Sequence, residues 1–178
     1  MNSNKNLICE ISDKTFNPQY KAEDVNSYHV RRAARGILIK DGKIALLNVS
    51  TLKYHKLPGG GIEKDETYEQ ATVRECKEET GYHVTIVNEL GIVREIRGND
   101  KKTGEIIGYT VKIIGEQGKL ELDSDEIHED ISVVWVSYDK AEEIFNTEIA
   151  RGDNFTHIGK RALAFLQDWH ILSGLENK

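Results

Sequence analysis

Three glutamates, Glu75, Glu78 and Glu79, crowd the stretch "RECKEETG", and three consecutive glycines, Gly59 to Gly61, stand shortly before them in "LPGGGIEKDE". Carboxylates three and four positions apart lie on one helical face, where like charges cost a few tenths of a kcal/mol per pair. At about 100° per residue the three cover roughly a third of the helix circumference, with Lys77 pointing the other way. Arg74 supports Glu78 one turn on, and no second cation in the segment balances the rest. Two readings stand at this point. A solvated acidic face is the ordinary meaning of such a helix, although that face usually interleaves its charges. The other reading is a cation site, since carboxylate oxygens favour hard divalent ions and Mg2+ binds through a few carboxylates plus substrate phosphate oxygens. The glycines divide in the same way. They make a turn, or they let a backbone carbonyl approach a metal where a Cβ would block it. They are not a P-loop, because no Gly-Lys-Ser/Thr follows.

The elements that must position these groups read as follows. Two apolar, β-branched runs flank Asp41-Gly42 in "ARGILIKDGKIALLNVS", a strong hairpin signal. A short extended run, "YHKL", leads into Pro58 and the glycines. The spacing predicts a helix from Asp65 or Glu66 to a stop at Gly81. "HVTIVNELGIVREIR" and "EIIGYTVKIIGE" read as strands joined by the turn "GNDKKTG". An acidic loop, "LELDSDEIHED", precedes the apolar run "ISVVWVS". Two helices close the chain, at "DKAEEIF" and around "HIGKRALAFLQDWHIL", where Ile158, Ala162, Phe165, Leu166 and Trp169 form a stripe. The chain before Ser27 reads as a polar lead-in with Cys9 near a flexible start. Irregular alternation with at least one hairpin predicts a mixed sheet covered by helices.

With 178 residues, 38% hydrophobic and 30% charged, residues 1–178 read as one domain with a real core. The net charge of -6 argues against a nucleic-acid binder, so an anionic substrate is expected to arrive with a metal. The first residues lack a secretory core and no run is long enough to span a bilayer, which predicts a cytoplasmic protein without a membrane partner. Cys9 and Cys76 lack metal or redox spacing and are expected as reduced thiols.

From Gly60 to Tyr82 the chain reads G-x5-E-x7-R-E-C-x-E-E-x-G-Y, which resembles the Nudix box of the MutT-like hydrolases. Gly60, Glu66, Arg74, Glu75, Glu78, Glu79 and Gly81 occupy every fixed position. Cys76 and Tyr82 stand where aliphatic residues are commoner. The similarity extends over about Arg31 to Gln167. It implies an α/β/α sandwich with a mixed β-sheet, in which the box forms a loop-helix-loop metal site. It also implies hydrolysis of a nucleoside diphosphate linked to X, a small-molecule nucleotide substrate, and Mg2+ as cofactor with Mn2+ able to substitute; the oligomeric state stays open, a homodimer included. By the same resemblance Glu75 and Glu79 are the principal metal ligands, Glu78 an additional one and the Gly60 carbonyl another. Arg74 orients the glutamates, and Glu66 braces the loop.

Relatives often recruit a base from outside the helix. Glu126 and Glu129 of the acidic loop are the candidates, with Glu105 more distant. Subfamily markers past the box are missing: Pro18 and Pro58 are the only prolines, so the proline of ADP-ribose members is absent, and Arg97 to Lys101 hold no tyrosine of the dinucleoside polyphosphate type. That leaves damaged-nucleotide clean-up as the leading expectation, with a catalytically weak nucleotide-binding regulatory module as the alternative. Arg32 or Arg35 is a candidate phosphate contact, and Tyr54 or His55 a candidate base-stacking residue.

Overall fold

A computed structural model describes residues 6–12, 25–98 and 101–174. The hairpin at Asp41-Gly42 is present. β2 (His29–Lys40) and β3 (Lys43–Val49) pair antiparallel, and both turn residues take positive φ, 51° and 70°, as a primed two-residue turn requires. β4 (Tyr54–Lys56) and β7 (Ile131–Val136) both run antiparallel to β3, one on each side. A second hairpin joins β5 (Val84–Arg97) to β6 (Lys102–Ile113), whose first residues lie inside the predicted turn. β6 runs parallel to β2, so the sheet order is β1-β5-β6-β2-β3-β4 with β7 on β3. This open mixed sheet agrees with the expected fold.

The lead-in is not wholly flexible, which corrects the expectation. β1 (Leu7–Ser12) lies parallel to β5, with Ile11 buried and Ile8 and Cys9 packed on the core. Its pairing partner is far away in sequence, so a short run between polar residues carries little local sign of it.

Alternation along β2 divides the interior into layers. Ala34 and Leu38 face α1 (Tyr68–Thr80), together with Ala71 and Cys76 of that helix. Ala33 and Ile37 face the opposite layer, built from α3 (Tyr138–Arg151) and α4 (Thr156–Ser173) through Phe145, Ala162, Phe165 and Leu166. A 2.6 Å ion pair between buried Arg161 and Glu95 ties α4 to β5.

α1 starts later than predicted. Asp65 has φ 64°, a left-handed conformation that a helix cannot contain, and the cap is Thr67, whose hydroxyl accepts from the Gln70 amide while the Gln70 side chain accepts from the Thr67 amide. Its end at Gly81, φ 75°, is as expected. The acidic loop also holds a helical turn, α2 (Ser124–His128), capped by Asp123. The "DKAEEIF" helix extends to Arg151. Among the described residues no helix is long and apolar enough to cross a membrane.

Candidate metal centre

The glycine run ends β4 and crosses β2 before α1 begins. The Pro58 carbonyl accepts from the Gly36 amide and the Gly60 carbonyl accepts from the Ala34 amide at 3.0 Å, which fixes the loop against the sheet. A Cβ on Gly60 would collide with the Glu75 carboxylate, and one on Gly59, whose φ is 133°, would collide with the Ala34 carbonyl. The glycines thus provide close approach between a loop and a helix carboxylate.

Arg74 organises the loop-helix junction. Its Nε and Nη2 donate to the two Glu66 oxygens at 2.9 and 3.0 Å. Nη1 donates to Glu75 Oε1 at 2.9 Å and Glu78 Oε2 at 3.0 Å, and Nη2 also reaches the Gly61 carbonyl. Glu66 Oε2 accepts from the Glu63 amide and so links the loop to the arginine. The Arg74 hydrogen bonds hold the Glu66 carboxyl below its ordinary range.

Glu79 is fully buried, and the Gly59 amide donates to its Oε2 at 2.6 Å. Burial pushes its carboxyl up to about 8, against the pull of Lys56 and Arg35. Glu75 is raised by burial too, with Arg74 pulling the other way. Lys56 Nζ lies 3.0 Å from Glu79 Oε1, yet no hydrogen bond of good geometry completes that oxygen. The sequence reading found no second cation for the acidic face. The fold supplies one from β4, and buried Arg35 adds a further positive charge nearby. This cation was missed because nothing local distinguishes a lysine ahead of Leu57 and Pro58.

Glu75, Glu79 and Glu126 each offer one carboxylate oxygen, all within 4.8 Å of one another. Glu126 arrives from α2, and the chain between β6 and α2 is tethered along α1. The Gly118 amide donates to the Gly81 carbonyl, the Glu121 amide to the Glu78 carbonyl, and Lys77 pairs with Glu121 at 2.9 Å. The far end is held by Thr51, whose hydroxyl donates to the Glu129 carbonyl at 2.9 Å. Three hard oxygen donors around an under-satisfied buried carboxylate oxygen fit a divalent cation.

The family profile described as "NUDIX domain" matches residues 30–155. The chain belongs to the Nudix family. It is 33% identical over 113 residues to a protein of Methanocaldococcus jannaschii named ADP-ribose pyrophosphatase, covering 60% of this chain and 67% of that one. Its fold resembles a NUDIX hydrolase from Nitrosomonas europaea, TM-score 0.62 at 19% identity, over 79% of this chain and 88% of that one. It also resembles a MutT protein from Methanosarcina mazei, TM-score 0.56 at 17% identity, over 85% and 98% of the two chains. As a Nudix protein it is a hydrolase of pyrophosphate bonds.

The remaining candidates of this Nudix chain separate clearly. Glu78 sits at the edge of the site on Arg74, outside the three-carboxylate group. Glu129 closes α2, its amide donating to the Asp125 carbonyl and its own carbonyl accepting from Thr51, and it lies outside the three-carboxylate group. Glu105 faces Arg32 across β6 and β2 at 3.8 Å. Tyr54 is buried and stacks on Phe155 with ring centroids 4.5 Å apart, and the His55 ring nitrogen lies 2.7 Å from Glu148 at the wall of a groove of about 520 Å³. Arg35 is likewise buried, facing α4.

Proposed function

We propose that this protein is a Mg2+-dependent Nudix pyrophosphohydrolase that cleaves a nucleoside diphosphate linked to X, giving a nucleoside monophosphate and phosphorylated X. The observation that carries this reading is the convergence of Glu75, Glu79 and Glu126 from two separate elements on one point. Glu75 and Glu79 would hold the cation, Mn2+ being an acceptable substitute, with Glu78 and the Gly60 carbonyl as further donors and Glu126 facing the pair as the base. Such a cation, when bound, neutralises pyrophosphate charge and acidifies a water at neutral pH.

The chain's own groups do the rest. Arg74 keeps Glu75 and Glu78 in register with the loop, and Glu66 fixes Arg74 in turn. Glu126, on a short tethered helix and within 4.8 Å of the Glu75 and Glu79 oxygens, would accept the proton of the attacking water, and that proximity favours it over Glu129 and Glu105. Beside the loop, a groove of about 710 Å³ runs between Arg31 and Arg32 of β2 and Gly61 to Glu66. Its arginines suit the phosphates of an anionic nucleotide. Residues 1–178 act in this reading as one catalytic unit in the cytoplasm, on a small molecule, as monomer or homodimer.

ADP-ribose heads the substrate list, because the Methanocaldococcus jannaschii relative carries that name. Modified nucleoside triphosphates stand beside it, since the marker proline of ADP-ribose members is absent. The test is a panel of ADP-ribose, nucleoside triphosphates, oxidised triphosphates and dinucleoside polyphosphates, with chromatographic identification of products in Mg2+ and in chelator. Hydrolysis of one class that chelator abolishes is expected. Binding without turnover across the panel would replace the enzyme with a nucleotide-binding regulatory module.

A further inference from the structure

Lys56 reaches this site from outside the box. It ends β4, its side chain is only 14% exposed, and its ammonium stands 3.0 Å from Glu79 Oε1, an oxygen that a divalent cation at the cluster would also claim. A divalent cation on that oxygen would stand close enough to the ammonium to repel it. Around Lys56 positive charge is in excess. Arg35 and Arg161 line the same tight crevice, and Arg161 is already neutralised by Glu95. Arg35 donates to the Ala34 carbonyl through Nη1, while its buried Nε has no hydrogen-bond partner. Burial and the neighbouring Arg161 draw the Arg35 guanidinium down to about 9, as expected for a cation short of anions. Glu79 is therefore the anion that Lys56 and Arg35 share, and a divalent cation on Glu79 would leave both short of one. A buried cation stripped of its counter-ion must find another.

We propose that Lys56 is a built-in counter-cation that competes with the divalent metal for Glu79 and, once displaced, turns to hold a phosphoryl oxygen of the substrate. A flexible ammonium on a four-carbon stem suits such a change of partner, whereas the forked guanidinium of Arg74 suits a fixed one. Arg35 stays in place beneath it and keeps the pocket positive. A purely structural ion pair makes the opposite forecast, because its loss would leave the carboxylates less well held and the metal bound no more tightly.

The inference rests on the metal and pyrophosphate reading above, and its test separates the two. Lys56→Met and Lys56→Gln are made in the full chain, the glutamine retaining a donor for Glu79 so that folding is preserved. Mg2+ is titrated calorimetrically without substrate, in alkaline buffer where the carboxylates are ionised. Both variants should bind Mg2+ about tenfold more tightly than wild type, because a nearby positive charge has been removed. Inorganic pyrophosphate is then titrated at saturating Mg2+. Its affinity should fall about tenfold in Lys56→Gln and return toward wild type in Lys56→Arg. Unchanged or weaker Mg2+ binding overturns the competition, and unchanged pyrophosphate affinity overturns the phosphate contact. Both arms holding while no nucleotide is hydrolysed would remove the enzymatic reading alone. Robust hydrolysis with both arms flat would remove this inference alone.

Discussion

Helix α1 and the segment from Leu120 to Asp130 are both acidic, and they spend their carboxylates in different ways. On α1, Glu75 and Glu79 are drawn inward and bound by Arg74, Lys56 and the Gly59 amide. In the second segment Asp123 caps α2, accepting from the Asp125 and Glu126 amides, and Glu121 pairs with Lys77 on the surface. Only Glu126 among its acids joins the α1 pair. Two stretches of similar composition thus become a preorganised, desolvated cluster and a solvated tether that delivers one side chain. What separates them is burial against partners remote in sequence, since a carboxylate in water is inexpensive and a buried one must be matched.

The comparison can be broken most decisively at its buried end. Glu79→Gln should lower turnover about a thousandfold, roughly the charge stabilisation expected of a lost ligand at a metal site. Its melting temperature in chelator should fall, because Lys56 and Arg35 lose the anion they share. Steady-state kinetics and calorimetry on one preparation decide it, and near-normal turnover at ordinary Mg2+ would defeat the assignment of Glu79.

Next comes the contrast inside the acidic segment. Glu126→Gln should reduce turnover about a hundredfold and flatten the acidic limb of the pH-rate profile, while Glu129→Gln should stay close to wild type. Equal losses in the two would mean that the segment acts through its overall charge.

Arg74→Lys should cost about tenfold in turnover at saturating Mg2+, since an ammonium cannot bridge Glu66, Glu75 and Glu78 together. Unaltered kinetics would reduce Arg74 to a charge balance.

The smallest effect is on stability. The Glu79 carboxyl ionises near 8 in the folded chain against an ordinary 4.5, so the folded state binds its proton more tightly than the unfolded one. That contribution is complete below about 4.5 and is lost as pH rises toward about 8, so in chelator the melting temperature should decline across this window. Glu66 has the opposite sign: its carboxyl is lowered, and its contribution is lost only as acid protonates it. Melting curves of wild type and Glu79→Gln in chelator, read across the window, should show the slope shrinking in the variant.

Much of this could be read from the chain because it is local. Asp41-Gly42, the stop at Gly81 and the glutamate spacing each express a rule that acts within a turn or two. The start of α1 was misplaced by a few residues because a left-handed Asp65 is set by the loop that Glu66 and Arg74 hold, not by its own preference. β1 was missed for the same kind of reason, its ladder partner among the described residues being the distant β5.

By itself the sequence determined the hairpin, the box, the family and the set of carboxylates from which a metal site could be made, since periodicity and turn chemistry operate through neighbours along the chain. The tertiary structure alone decided that Lys56 and Arg35 stand against Glu79, that Glu126 and not Glu129 completes the cluster, and that Tyr54 and His55 are committed to Phe155 and Glu148. Those choices depend on desolvation and on distances between segments far apart in the chain, and neither is encoded in any window of residues.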